Sequence, residues 1–241
     1  MFNSTVAAIT LRATLGRRRA LLFALPPIIL IGLTIILRSS HAPSQSWPGE
    51  ILGDFGFSVL VPLTALIIGT SVLGAEVDDG SIVHLLATPV SRLSVILTKF
   101  TIAAVLAMTF TAIPELIAGL IAPGTGSKLA IALFVGALVG SVIYTAVFVM
   151  CSALTTRAVA IGLLYVLVWE GLLSNLIGGV RILSVGHYAL GIANGIDRDP
   201  ALGAGLSLDT ALVMGILVTI GALWLAVRRL SSFGIAGDAA Q

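Results

Sequence analysis

Two carboxylates inside hydrophobic stretches are the residues of this sequence best placed to do chemistry. Glu115 follows Pro114, and Glu170 lies in the tripeptide Trp169-Glu170-Gly171. At 1.5 Å per helical residue, each lies about 10 to 12 Å from the C-terminal end of its stretch, which gives the two a shared depth. A carboxylate in an apolar setting is costly unless it faces water or a partner. The pair therefore either lines a polar path that attracts cationic or amphipathic molecules, or is protonated, hydrogen-bonded to backbone freed by Pro114, or caps neighbouring helices.

Other kinds of site find no support in the sequence. The three histidines, His41, His84 and His187, fall in separate segments with no second ligand at metal spacing. Ser, His and Asp are scattered, so nothing indicates a nucleophilic triad or an intramembrane hydrolase. No G-x-x-x-x-G-K-[ST] phosphate loop is present, and the chain itself is not expected to bind ATP. We expect no catalytic residue, no metal and no cofactor in this chain.

A charged insert, residues 75–96, separates two hydrophobic runs. Asp78, Asp79 and Ser81 are typical N-terminal helix caps, and Pro89 ends whatever helix follows them. The pattern predicts a helix of about two turns, which is marginal in water unless it docks into something. It lies either on lipid headgroups or in a groove of a partner protein. Its apolar residues are Ile82, Val83, Leu85 and Leu86.

Composition places the whole chain in a membrane. Of its 241 residues, 58% are hydrophobic and 10% are charged, which is too little polar surface to cover a soluble globule. The mean hydropathy is +1.12. We predict an all-α polytopic membrane protein, with six runs each long enough to cross about 30 Å of hydrocarbon. These runs are residues 21–37, 55–74, 97–122, 129–154, 158–178 and 210–227.

Three further features surround the predicted spans. Residues 1–20 are amphipathic and end in three arginines, which indicates an elbow helix in the headgroup plane or a disordered basic tail. Residues 179–209 are too short and polar to cross but largely apolar, so they form either a re-entrant segment or a surface loop. Gly136 and Gly140 form a G-x-x-x-G that packs either within one subunit or along a dimer seam.

The basic residues predict the orientation of the chain. Six spans place both termini on one side, and nine of the 13 basic residues fall in segments on that side. This bias indicates that both termini and the insert 75–96 are cytoplasmic. The nine are Arg12, Arg17, Arg18, Arg19, Arg92, Lys99, Arg157, Arg228 and Arg229, against Arg38, Lys128, Arg181 and Arg198 outside.

The insert resembles a motif of the type-2 ABC exporter permeases. An acidic cap, Gly80-Ser81, a short apolar helix, the run Thr88-Pro89-Val90-Ser91-Arg92 and then Lys99 are similar to that family's E…G[TS]…L…P.SR…K pattern. Ser81 stands where threonine is commoner, and Asp78-Asp79 is more acidic than the pattern. The resemblance implies that residues 80–88 are a coupling helix that inserts into an ATPase. It assigns ATPase coupling to Glu76, Asp78, Asp79, Gly80, Ser81, Ile82, Val83, His84, Leu85, Leu86, Pro89 and Arg92.

This resemblance implies a permease subunit of an ATP-driven exporter in a bacterial plasma membrane. Its cargo would be a hydrophobic or amphipathic molecule, such as a drug, antibiotic, lipid or peptide. The expected partners are a cytoplasmic ABC ATPase that binds ATP and Mg²⁺, a second permease subunit in a homodimer or heterodimer, and the lipid bilayer, with no nucleic acid. The alternative is a secondary transporter or channel without an ATPase, which predicts a relay of several intramembrane charges.

Overall fold

A computed structural model describes residues 7–8, 10–11, 14, 16–40, 47–78, 91–176, 178–198, 202 and 206–238. Within this part of the chain, the structure consists of helices and the turns that join them, and it contains no strand. Apolar segments become helices because a backbone in lipid has to satisfy its hydrogen bonds within the segment. The all-α prediction is therefore confirmed for the described residues.

The helices follow one another with short connections. The long ones are α1 (Arg17–Ser39), α2 (Val61–Asp78), α3 (Arg92–Ile121), α4 (Ser127–Leu154) and α8 (Leu208–Asp238). Two π-helical segments are π1 (Gly49–Leu60), which runs into α2, and π2 (Tyr165–Leu173). The shorter elements are α5 (Ala158–Leu164), α6 (Ser174–Leu176), a 3₁₀ helix (Gly178–Leu183) and α7 (Val185–Ile196). Gly124, with φ of 79°, turns the chain between α3 and α4.

Five helices are long and apolar enough to cross a membrane, judged by length and composition. They correspond to five of the six predicted spans, and their bounds are Leu21–Ser39, Ile51–Gly74, Arg92–Ile121, Ser127–Leu154 and Leu208–Leu230. The predicted span 158–178 differs, because its apolar helix, Ala158–Leu173, is shorter than the other five. Most of that helix is π-helical. An i→i+5 turn takes in more residues than an α-turn, so the same residues reach less far.

The helix α4 lies at the centre of the bundle. In an apolar stretch of 18 residues, 61% of the residues are buried in α4 and likewise in π1–α2. The corresponding share in α1 and in α8 is only 22%. Two clusters of buried side chains form the core, one around Phe57, Tyr144 and Tyr188, and the other around Ile68 and Ile96. The apolar outer faces of α1 and α8 are thus left for lipid or another protein.

The G-x-x-x-G motif packs inside the chain. A Cβ atom built on Gly136 would lie 2.8 Å from the Ala189 carbonyl oxygen, and one on Gly140 would lie 2.8 Å from the Ala189 Cβ. Both glycines therefore let α7 approach the middle of α4, as small residues do at helix contacts in membranes.

Two polar contacts lie at one end of the bundle. Arg38, at the end of α1, donates to the Ile121 carbonyl oxygen at 2.7 Å. Lys128, at the start of α4, lies 3.8 Å from the Asp197 carboxylate just after α7. These residues belong to segments that the charge distribution assigns to the outer side, and they gather at one end. Which side of a membrane that end faces, and whether residues 1–20 and 179–209 are elbow and re-entrant segments, remain predictions.

Candidate functional site

Most of the residues predicted to couple to an ATPase lie outside the described part of the chain. These are Asp79, Gly80, Ser81, Ile82, Val83, His84, Leu85, Leu86 and Pro89. Glu76 and Asp78 belong to the last turn of α2, with only their backbone described, and Arg92 is the half-buried first residue of α3. Ser91 caps α3, because its Oγ accepts from the Ser94 amide at 3.3 Å. The structure thus fixes the two helix ends between which the predicted coupling segment lies.

Lys99 ties these two helices together close to that segment. Its side chain is buried, with 1% of its surface exposed, and its Nζ donates to the Val72 carbonyl oxygen at 2.6 Å. A hydrogen bond from an ammonium group is stronger than a neutral one, and inside a protein it is poorly screened. From the sequence, Lys99 belongs to the family pattern and to the basic residues that predict the cytoplasmic side, and no contact is predicted for it. The structure shows that it joins α3 to α2 on the side that leads to residues 79–90.

Glu170 accepts hydrogen bonds from three residues, one in its own helix and two at the start of α7. Its side chain is buried in π2, where the Tyr165 hydroxyl donates to Oε1 at 2.7 Å. The Ser184 hydroxyl donates to Oε2, and the Val185 amide donates to Oε1 at 2.9 Å. The Tyr144 hydroxyl of α4 faces the same carboxylate across Gly186. Glu170 therefore holds π2 against the start of α7.

The start of α7 is capped twice. Ser184 is its N-cap, and the Ser184 Oγ accepts a hydrogen bond from the His187 amide at 3.3 Å. Glu170 Oε1 accepts a second one from the Val185 amide. A carboxylate at this position also favours the positive end of the helix dipole. The sequence left open whether Glu170 lines a polar path, is protonated or hydrogen-bonded, or caps a neighbouring helix. The contact with the Val185 amide matches a helix cap. Whether Glu170 also meets cargo stays a prediction.

His187 extends the same group of contacts. Its Nδ1 lies 3.1 Å from Ser184 Oγ, whose proton is already donated to Glu170, so Nδ1 is the donor in this pair. Burial, together with the positive charge of Arg181, lowers the pKa of His187 below its ordinary value. The neutral imidazole is thus the form that fits α7 in the fold. The Tyr188 hydroxyl adds a bond of 2.5 Å to the Ile182 carbonyl oxygen.

Glu115 is buried without such partners. No part of its side chain is exposed, and neither carboxylate oxygen has a hydrogen-bond partner among the described residues. The side chain lies against Gly56 of π1, where a Cβ atom would collide with Oε1. The carbonyl oxygen of the next residue, Phe57, and the Glu170 carboxylate both lie within 4 Å of a Cβ atom built on Gly186. Glu115 thus contacts π1, whereas Glu170 contacts the start of α7, where Gly186 lies near both Glu170 and Phe57 of π1.

A cavity of about 470 Å³ lies between π2 on one side and π1 with the start of α2 on the other. Neither Glu115 nor Glu170 is among its lining residues, but Asp54 and Ser58 are. Asp54 is not among the residues that the sequence points to, because it lies one residue before the predicted span 55–74. In the structure, Asp54 lies inside the apolar helix Ile51–Gly74. The full lining is Asp54, Phe55, Ser58, Val59, Leu63, Val166, Leu167 and Gly171.

No group of three or more metal-ligating side chains occurs in the residues that the structure covers. Among family models, the one described as "ABC-2 family transporter protein" matches residues 5–196 of the chain. The matched region ends with the last residue of α7 and includes both carboxylates and Lys99. No curated protein matches the sequence.

Proposed function

Because this chain belongs to the ABC-2 family of transporter proteins, we propose that it is the membrane permease subunit of an ATP-driven exporter. It is a multi-pass membrane protein and a transport component rather than a catalyst. The proposal adds a separate cytoplasmic ATPase that binds ATP and Mg²⁺ and a second permease subunit, identical or a sister chain. It further places the protein in a bacterial plasma membrane, with both termini in the cytoplasm.

The observation that carries the proposal is the contact between α2 and α3, the helices that come before and after residues 79–90 in the chain. Lys99 Nζ donates to the Val72 carbonyl oxygen at 2.6 Å, so the two helices that flank the predicted coupling helix in the chain are joined to each other. A force on residues 80–88 is then transmitted to both helices together. Closure of the ATPases on ATP would tilt α2 and α3 and exchange an inward-open for an outward-open cavity, which is a shift between two states.

The cargo in this proposal is a hydrophobic or amphipathic molecule, such as a drug, antibiotic, lipid or peptide. Glu115 and Glu170 are buried in the described conformation. We assign them to the translocation path only in the outward-open state, after π1 and α7 have moved apart. Unchanged transport of every cargo by the Glu115→Gln, Glu170→Gln double variant would remove them from the path.

The experiment is co-purification from the native host. The tagged chain is extracted in mild detergent, and mass spectrometry identifies the proteins that come with it. We expect an ABC ATPase subunit with the native chain and its loss from the Leu85→Asp, Leu86→Asp variant. Leu93→Asp is the matched control, since Leu93 is 52% exposed at the start of α3 and outside the predicted contact.

An ATPase that stays bound to the double aspartate variant would contradict the coupling helix. If the intact native chain brings down no ATPase, a secondary transporter or channel becomes the leading hypothesis, and residues 75–96 are interpreted as a turn that lies on lipid. Each variant should elute from size-exclusion chromatography at the same volume as the native chain, which shows that the variant is folded.

A further inference from the structure

Arg181 lies in the 3₁₀ helix, directly before the start of α7. Its carbonyl oxygen accepts a hydrogen bond from the Ser184 amide at 3.1 Å, and Ser184 is the N-cap of α7. The Arg181 side chain is half-buried, so part of it stays accessible. The next two residues in the chain, Ile182 and Leu183, have large apolar side chains that are exposed. Arg181 is therefore a charged residue beside an exposed apolar surface.

The start of α7 lies at membrane depth. The far end of α7 lies at the beginning of α4, where Asp197 meets Lys128, and Ala189 in the middle of α7 packs on Gly140. Gly140 is about 18 Å from Lys128 along α4 at 1.5 Å per residue, and the start of α7 lies further along still. Because the hydrocarbon of a bilayer is about 30 Å thick, Arg181 is held well inside the membrane.

The guanidinium of Arg181 has no acidic partner among the described residues. No ion pair or side-chain hydrogen bond joins it to any of them, and its Nε atom is buried without an acceptor. Arg38 and Lys128 differ, because each of them meets an oxygen atom, the Ile121 carbonyl and the Asp197 carboxylate respectively. One edge of the Arg181 cation has thus lost water without gaining an acceptor, which is costly at membrane depth.

A negatively charged ligand group would offset this cost. A guanidinium binds phosphate and carboxylate groups through two parallel N–H···O bonds, which are stronger where water is scarce. The exposed side chains of Leu176, Ile182 and Leu183 offer apolar surface next to the cation. Glu115 and Glu170 are both buried, so neither carboxylate faces a ligand in this conformation.

We propose that Arg181 binds the anionic headgroup of an amphipathic molecule, whose apolar body lies on Leu176, Ile182 and Leu183. The inference rests on the proposed function and narrows its cargo to amphipathic anions, with a phosphate or carboxylate as the charged group. An anionic phospholipid of the bilayer presents the same chemistry as an exported molecule of this class. The test therefore separates these two sources.

The test uses two probes with the same alkyl chain and opposite charge. The full-length chain in mild detergent, with any partner that co-purifies, is equilibrated by dialysis against decyl phosphate or decyltrimethylammonium, and protein-free micelles are the blank. We expect saturable binding of decyl phosphate and only non-saturable partition of the ammonium probe. Arg181→Gln should weaken decyl phosphate binding about tenfold or more, which is the usual effect of losing a hydrogen bond between charged groups.

Two other variants complete the design. Arg181→Lys keeps the charge but loses the forked donors, so it should bind decyl phosphate more weakly than the native chain and more tightly than Arg181→Gln. Arg198→Gln is the matched control, since it removes an exposed arginine just beyond the other end of α7, and it should leave binding unchanged. The midpoint of thermal unfolding checks that each variant is folded. If Arg181→Gln does not fold, Arg181→Lys and the comparison of the two probes decide the result.

Competition experiments identify the source of the ligand. Displacement of decyl phosphate by phosphatidylglycerol assigns the site to a bilayer lipid, and its absence assigns the site to an exported amphipathic anion. Inorganic phosphate should compete poorly, because it lacks an apolar body. Equally good competition by inorganic phosphate would overturn the apolar part of the site.

The outcomes separate this inference from the proposed function. Equal binding of the two probes, or decyl phosphate binding that survives Arg181→Gln, overturns the anion site even where an ATPase co-purifies. Arg181-dependent binding of decyl phosphate supports the site. If no ATPase co-purifies in that case, only the exporter proposal fails.

Discussion

Glu170 and Glu115 are the same residue type and are both buried, but their oxygens meet different surroundings. Glu170 accepts from Tyr165, Ser184 and Val185, whereas Glu115 accepts from none of the described residues. A glutamine at position 170 would turn an NH₂ group toward one or more of these donors, where it cannot accept their hydrogen bonds. It would also lose the hydrogen bonds that these donors make to the carboxylate. We expect Glu170→Gln to lower the free energy of unfolding by about 1.5–3 kcal/mol.

The matched control for this change is Glu115→Gln. It exchanges one buried polar group without described partners for another of the same shape, so we expect the free energy of unfolding to change by less than about 0.5 kcal/mol. Both changes are measured by thermal unfolding of the detergent-solubilised protein at neutral pH. Equal losses at the two positions would show that the hydrogen bonds to Glu170 do not stabilise the start of α7.

His187 predicts how stability depends on pH. Burial and Arg181 lower its pKa in the fold, whereas in the unfolded chain the pKa is ordinary, about 6.5. Below that value the unfolded chain binds a proton that the folded chain resists binding. The stability contribution is therefore complete above about pH 6.5 and is lost as the pH falls from there toward the lowered pKa.

The measurement is the midpoint of thermal unfolding between about pH 7.5 and 5.5. His187→Asn keeps a donor for Ser184 but does not titrate, so its midpoint should fall less over the same range. A midpoint that falls equally in both proteins would assign the pH dependence to other groups.

At the scale of elements, the contact between α4 and α7 depends on two glycines. Gly136→Ala places a methyl group 2.8 Å from the Ala189 carbonyl oxygen, which is backbone and cannot swing aside. We expect this overpacking to cost about 1–3 kcal/mol in thermal unfolding.

Gly32→Ala is the control for that variant, because nothing lies within 4 Å of a Cβ at this position in α1. Alanine favours helix over glycine, so Gly32→Ala should be neutral or slightly stabilising. A loss of stability as large at Gly32 as at Gly136 would mean that helix propensity, and not the approach of α7, decides the result.

At the scale of the whole molecule, orientation in the membrane is the prediction to test. Ser40 follows α1 and Thr156 lies between α4 and α5, and both are exposed. In a Cys151→Ser background, Ser40→Cys should react with an impermeant maleimide in intact cells. Thr156→Cys should react only after the membrane is opened, because the basic residues place it inside.

The Cys151→Ser protein without a new cysteine is the control and should remain unlabelled. If Thr156→Cys were labelled in intact cells and Ser40→Cys were not, the orientation of the chain in the membrane would be the reverse of the predicted one. The segment 75–96 would then be out of reach of a cytoplasmic ATPase.

The sequence by itself determined the class of fold and the positions of most long helices. Hydrophobicity is a local quantity that accumulates along a segment, so five spans were predicted within a few residues of their helices. It also singled out Glu115 and Glu170, because an acidic residue in an apolar run is visible without any partner. The shortness of the helix Ala158–Leu173 was not visible, because hydropathy does not distinguish π-helical from α-helical turns.

Only the tertiary structure decided what these residues touch. Glu170 meets Val185, 15 residues away, and Lys99 meets Val72, 27 residues away. Asp54 became a cavity residue because π2 packs opposite π1. Such partners depend on how helices rotate and approach one another, which is set by the packing of many side chains at once and leaves no periodic pattern in the sequence.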